Sequence, residues 1–232
     1  MKRIFSLVFV GCLYLVLLPL GVKAESSCTS EQWPCSNVYA RRGEDGSLRR
    51  RSGYTTCQCI HDNGQCRKTL GPQFNFLNSL TWEIATLTVE KYVIQSYYCK
   101  PLDLPDRTCK PGEVAAGFQS PYEGHLSFLN CTCPNRTEPL KQVAVYKIPG
   151  ITYQHFACEK PTCSVADNEC ARVYGTEKNE HRSTEYPCDC PDDHVCPFTF
   201  VTFNVASAAE YSKDKIGRQF RKVYCVKKSE SA

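Results

Sequence analysis

The sequence predicts a small disulfide-rich all-β protein built from three tandem cysteine-stapled modules. Three observations carry that expectation. A secretory signal is followed by an even and large set of cysteines. A Cys-x-Cys pair recurs three times at near-matching spacing. Runs of β-branched and aromatic residues appear, while no window reads as a long, capped, amphipathic helix.

The signal is Met1 to Ala24. Lys2 and Arg3 give the positive start, Ile4 to Leu20 is almost unbroken apolar chain, and Val22-Lys23-Ala24 suits cleavage before Glu25. Cleavage takes 24 of 232 residues, leaving 208, and removes Cys12 from the 17 cysteines. It also removes three of the 28 basic side chains, so 25 face 24 acidic ones and the mature charge falls to +1. That balance gives no general attraction to nucleic acid or to an anionic membrane. With 42% apolar and 22% charged residues the chain is not disordered. The apolar run is short for a membrane span and no second one follows, so no span is expected in the mature chain.

The sixteen remaining cysteines are Cys28, Cys35, Cys57, Cys59, Cys66, Cys99, Cys109, Cys131, Cys133, Cys158, Cys163, Cys170, Cys188, Cys190, Cys196 and Cys225. In an oxidising compartment they are expected as eight structural disulfides. Successive gaps around Cys57/Cys59 are 7, 22, 2, 7 and 33; those around Cys188/Cys190 are 7, 18, 2, 6 and 29. Side chains agree: Cys35-Ser-Asn-Val-Tyr39 parallels Cys170-Ala-Arg-Val-Tyr174, and Phe74-Asn75-Phe76 resembles Phe203-Asn204-Val205. An aromatic precedes each closing cysteine, at Tyr98, Phe156 and Tyr224. The middle unit, around Cys131/Cys133, keeps four cysteines. The division is therefore a six-cysteine module at 25–100, a four-cysteine module at 101–160 and a six-cysteine module at 161–232. Pro101, Pro105 and Pro161 stiffen the linkers, predicting a semi-rigid, elongated row.

Even counts predict that each module closes its own bridges. The middle module lacks the equivalent of Cys66 and Cys196 and also one of the first two cysteines; a module that loses one partner should lose both, so Cys66 should pair with Cys28 or Cys35, and Cys196 with Cys163 or Cys170. Spacing to the Cys-x-Cys pair matches Cys109 with Cys35 and Cys170, which favours Cys28–Cys66 and Cys163–Cys196. The shared Thr-Cys at 108–109 and 162–163 argues the other way. Cys-x-Cys is read as structural: zinc sites prefer two to four intervening residues, and positions i and i+2 of a strand share a face.

Modules of this size have small cores and need staples. Strand signals fall at Thr81 to Tyr98, at Gln142 to Phe156 with Pro149-Gly150 as the turn between two arms, and at Phe198 to Val205. Asp45-Gly46 and Asn63-Gly64 mark further tight turns.

No motif points to catalysis. The histidines, His61, His125, His155, His181 and His194, lie outside any zinc-protease pattern, and no Gly-x-Ser-x-Gly or phosphate loop is present. Asp192-Asp193-His194 reads as a solvated turn or a metal ligand set, the turn being favoured. Non-enzymatic action without cofactor or metal is expected. Arg41, Arg42, Arg49, Arg50 and Arg51 crowd a hairpin tip around Gly43 to Leu48. That tip is a solvated surface, a contact for an acidic extracellular partner, or a processing site after Arg51. The matching stretch Glu177 to Arg182 differs in charge, as expected where tips vary and the frame repeats. Asn130-Cys131-Thr132 and Asn135-Arg136-Thr137 are glycosylation sequons, Asn135 being the better acceptor because Asn130 adjoins a bridged cysteine.

A secreted chain with sixteen mature cysteines, three Cys-x-Cys units, and the anchors Gly53-Tyr-Thr-Thr-Cys-Gln-Cys59 and Tyr186-Pro-Cys-Asp-Cys-Pro191 resembles the eleventh scoloptoxin family of centipede venoms. The resemblance implies a venom toxin, a venom-gland product that acts by binding an undefined extracellular protein; a monomer is expected. At module level the chain is also similar to the insect Argos (giant-lens) protein, which would imply sequestration of a growth-factor-type ligand. Neither resemblance transfers site residues.

Overall fold

The computed structural model describes residues 27–42, 47–60, 66, 78–84, 91–120, 125–136, 138–164, 168–175, 181–196 and 212–227. The signal segment, His61, the turns at Asp45-Gly46 and Asn63-Gly64, the Phe74 to Phe76 stretch and the Phe198 to Val205 strand lie outside these residues. Among the described residues all regular structure is strand, with no helix. The fold is a small disulfide-rich all-β one.

The first cysteine-rich segment contributes β1 (Pro34–Arg42), β2 (Leu48–Thr55), β3 (Ser79–Ile84) and β4 (Lys91–Tyr98). The run read as one strand signal over Thr81 to Tyr98 is thus two antiparallel strands, Trp82 facing Ile94. β1 lies between β2 and β4. Its alternate residues feed opposite faces: Val38 joins the cluster of Cys57, Cys59 and Tyr97, while Tyr39 packs towards Trp82 and Ile94. The second segment contributes β5 (Val114–Ser120), β6 (His125–Leu129), β7 (Leu140–Ile148) and β8 (Ile151–Ala157). Pro149-Gly150 closes β7 onto β8 as expected: proline presets its φ, and Gly150 takes a φ of 78° that a side chain would oppose. The third contributes β9 (Glu169–Gly175), β10 (His181–Glu185), β11 (His194–Val195), β12 (Ser212–Lys213), β13 (Gln219–Tyr224) and β14 (Val226–Lys227). β9 lies between β10 and β13 just as β1 lies between β2 and β4. The paired motifs at Cys35 to Tyr39 and Cys170 to Tyr174 therefore occupy the same central position in both.

The eight disulfides are Cys28–Cys57, Cys35–Cys66, Cys59–Cys99, Cys109–Cys131, Cys133–Cys158, Cys163–Cys188, Cys170–Cys196 and Cys190–Cys225. All close within their own segment. The spacing-based preference for Cys28–Cys66 and Cys163–Cys196 is wrong: Cys66 pairs with Cys35, and Cys196 with Cys170. The physical reason is a short parallel ladder repeated three times, Ser27 beside Gln58, Thr108 beside Thr132 and Thr162 beside Asp189. Cys28, Cys109 and Cys163 each donate a backbone N–H to the carbonyl of the residue between the paired cysteines. That ladder sets each first cysteine against the first of its Cys-x-Cys pair. The second of the pair then reaches the closing cysteine.

The strands do not stop at the segment boundaries. β3 pairs parallel with β7 at Trp82–Leu140 and Glu83–Lys141, and β10 pairs antiparallel with β7 at Ser183–Tyr146 and Glu185–Ala144. One edge of β7 is thus divided between the first segment and the third. The core crosses too. Trp82 stacks on Phe118 at 5.1 Å and meets Phe156 edge-on at 5.3 Å, inside a cluster that also holds Leu80, Ile94, Leu126 and Leu140. Leu102 and Leu104 of the first linker pack against it. Val145 joins Ala171 and Tyr186 in a smaller cluster. At the second linker Lys160, its side chain 4% exposed, pairs with Asp189 at 2.7 Å and donates to the Gln142 carbonyl at 3.3 Å. Proline-bearing linkers are packed into the molecule rather than left as spacers.

Candidate contact surface

Strand direction organises the molecule into two ends. β1, β3, β5, β7 and β9 run one way, and β2, β4, β6, β8, β10 and β13 return. The last residues of β1, β3, β5, β7, β9 and β12 and the first residues of β2, β4, β6, β8, β10 and β13 therefore lie towards the same end. The cysteines flank the strands at the other end: Cys35 opens β1, Cys99 follows β4, Cys131 follows β6, Cys158 follows β8 and Cys225 follows β13. Among the described residues, bridged chain gathers at one pole and the paired strand ends meet at the opposite one.

The five arginines belong to the β1–β2 hairpin. Arg41 and Arg42 end β1, and Arg49, Arg50 and Arg51 lie within β2, so the group sits on strands rather than in the connecting loop. Arg41 and Arg49 are exposed and stand opposite one another across the pair. Like charges so placed oppose pairing. Arg42 has a different position: its Nε donates to Glu83 Oε2 at 3.1 Å, and Lys141 Nζ reaches the same oxygen at 3.0 Å. Arg42 is therefore a joint residue between β1, β3 and β7. β2 ends the path of paired strands, and charge on an end strand discourages further pairing.

Exposed Tyr54 stacks on Tyr39 at 5.8 Å, with the two hydroxyls 3.2 Å apart. Sequence reading missed it. The signal available was an aromatic on the strand that carries the arginines, a pairing typical of protein contacts. Ile148 and Ile216, 51% and 78% exposed at the β7–β8 and β12–β13 turns, were missed as well.

Three of the histidines have described neighbours. His155 rests between Tyr146 at 4.8 Å and Phe128 at 5.5 Å, and His125 meets Trp33 edge-on at 5.7 Å; burial lowers the pKa of both imidazoles. Asp193 accepts from His194 at 2.6 Å, which lowers the Asp193 pKa. Among the described residues, the groups of three possible metal ligands are all cysteine, and every member is spent in a disulfide. Their sulfurs cluster because bridges lie side by side.

At the sequons, the Asn130 amide donates to Glu113 at 3.3 Å and to the Val114 carbonyl at 3.1 Å, and the Thr132 hydroxyl donates to the Pro105 carbonyl at 2.6 Å. Both groups a glycan would need are engaged. Asn135 is exposed. The hydrogen bond from Arg107 holds Glu113 down at about 2, helped by the Lys110 backbone N–H. No family model, curated protein or solved structure matches this chain.

Proposed function

We propose that the chain is a secreted, toxin-type binding protein that occupies an extracellular protein target and catalyses nothing. The observation that carries this reading is the polarity of the fold: among the described residues, the hairpin-forming strand ends all lie towards one end, while the disulfides brace the other. Binding residues are favoured on turns and strand ends held by a rigid frame. The β1–β2 pair carries exposed Arg41 and Arg49 and an exposed Tyr54, with Arg50 and Arg51 in the β2 sequence, a composition suited to an acidic protein face. Arg42 contributes to the frame instead.

The test uses the oxidised chain beginning at Glu25. Labelled protein is expected to bind target tissue saturably, and replacing Arg41, Arg49, Arg50 and Arg51 with Ala should weaken binding by about tenfold or more while leaving the fold intact. Unchanged affinity would remove this hairpin from the contact. Turnover in a broad substrate screen would overturn the non-catalytic reading. Recovery of the chain mainly from body fluid, rather than venom, would overturn the toxin assignment and favour sequestration of a growth-factor-type ligand.

A further inference from the structure

We propose that the outer edge of β2 receives an extended, acidic segment of the protein target as an added antiparallel strand, a deepening of the protein-target reading that rests on it. The internal repeat points to this edge. β2 and β10 are counterparts residue for residue. Ser52, Gly53 and Tyr54 face Tyr39, Val38 and Asn37, while Ser183, Thr184 and Glu185 face Tyr174, Val173 and Arg172. The irregularity repeats too: the ladder skips Arg51 between Arg50 and Ser52, and Arg182 between His181 and Ser183. Each strand then reaches the first cysteine of its Cys-x-Cys pair, Cys57 or Cys188, five residues after that serine.

The two strands differ at their other edge. β7 covers β10 there: Thr184 faces Val145, and the Tyr186 N–H donates to the Val143 carbonyl at 2.8 Å. Ser183 and Thr184 are buried. Among the described residues β2 pairs with β1 alone, and Ser52, Gly53 and Tyr54 are exposed. The Thr56 N–H points inward, to the Cys35 carbonyl at 2.9 Å. Alternation along the strand then turns the backbone groups of Gly53 and Thr55 outward, the counterparts of those that Thr184 and Tyr186 offer to β7. The chain itself thus displays what fits this register, an antiparallel strand. Charge selects among strands. Arg49 is exposed, Arg50 and Arg51 follow it on β2, and exposed Arg41 stands opposite Arg49 on β1. Like charges bar a second copy of β2, whereas acidic side chains on an incoming strand are attracted. Past Tyr146, β7 continues towards the level of Arg182 and His181. An incoming strand in the same register therefore brings its acidic residues after the paired stretch, level with Arg51, Arg50 and Arg49.

Two synthetic peptides test it. Gln-Val-Ala-Val-Tyr-Glu-Asp-Glu keeps the sequence of Gln142 to Tyr146 and ends in acids; its partner ends in three lysines instead. The oxidised chain beginning at Glu25 should bind the acidic peptide about tenfold or more tightly than the basic one. Binding should slow hydrogen exchange at the Gly53 and Thr55 amides. Gly53→Pro removes an outward N–H, a change that edge strands tolerate, and should weaken binding by about tenfold. Gly53→Thr, which supplies the residue β10 has at this place, should retain it. Each variant must keep the eight-disulfide mass and the wild-type elution volume. Should the proline variant misfold, methylating the amide nitrogen of the peptide's second valine, the counterpart of Val145, removes the same pairing from the other side. Absence of binding by the acidic peptide overturns the proposal, as does equal binding of the basic one or binding indifferent to these backbone changes. In the tissue assay, Gly53→Pro binding as wild type does while the arginine variant fails would overturn strand pairing and leave the protein-target reading standing. Peptide binding as expected, beside a chain that binds no tissue, would overturn the target reading alone.

Discussion

Gly117 shows how one missing side chain shapes the outer face of β5. A Cβ there would stand 2.2 Å from a ring carbon of Phe128 on β6. The ring lies over the glycine and continues to His155 on β8. Gly117→Ala must push Phe128 aside, and because that ring is 38% exposed it has solvent to move into. A loss of about 1 kcal/mol is expected, at the low end for overpacking. In a double-mutant cycle with Phe128→Ala the alanine should cost much less, since the clash is gone; additive losses would show that the ring is not the obstacle. Glu113 gives a second prediction at this scale. Its folded pKa is about 2 against an ordinary 4.5, so its contribution is present above pH 4.5 and fades as pH falls towards 2. Thermal melts of wild type and Glu113→Gln should differ near neutrality and converge through that window. A constant difference across it would contradict the Arg107 pairing. No glycan is expected on Asn130, and Asn135 is the place to look for one by peptide mass spectrometry.

At the scale of elements, the junction of β3 with β7 turns on Glu83. Its side chain is 6% exposed, and it gathers Arg42 from β1 and Lys141 from β7. Glu83→Gln leaves two half-buried cations without their shared anion. Since hydrogen bonds to charged groups are worth roughly 1.5–3 kcal/mol, urea unfolding should show a loss in that range. A negligible change would mean that the cations are satisfied by solvent. Elements were also where the sequence was most and least legible. The β7–β8 hairpin could be read because alternation, β-branching and Pro149-Gly150 are local signals. The equivalence of Cys35 to Tyr39 with Cys170 to Tyr174 could be read because both are central strands meeting the same demands on each face. The disulfide order was misread because gap lengths were trusted. Lengthening a loop costs little entropy, so spacing constrains pairing weakly. The ladder beside each Cys-x-Cys constrains it strongly, and only the Thr-Cys at 108–109 and 162–163 hinted at it. The arginines were visible as a cluster, yet the role of Arg42 depends on Glu83, 41 residues away.

For the whole molecule, the question is whether three sets of disulfides make three independent folding units. The sets are separate, but the largest core is not. Leu80, Trp82, Ile94 and Tyr98 from the first segment share a cluster with Phe118, Leu126, Leu140 and Phe156 from the second. The other tryptophan crosses as well: Trp33 touches His125, and the neighbouring Gln32 carbonyl accepts the Leu126 N–H at 2.9 Å. A large apolar side chain contributes about 1.5–3 kcal/mol when fully buried, and a domain retains only about 5–15 kcal/mol in all. Several such side chains stripped of their partners would consume that margin. Disulfides restrict the unfolded chain but do not supply the missing apolar surface. Residues 25–100 produced alone should therefore form their bridges yet leave both tryptophans wet, with red-shifted fluorescence and no cooperative melt. Residues 25–160 should restore the buried Trp82, because Phe118 and Phe156 return with β5 and β8. Blue-shifted emission and a sharp transition in 25–100 alone would establish the first segment as a self-sufficient domain. In that case the continuous sheet would be an association of finished modules rather than the condition for their folding.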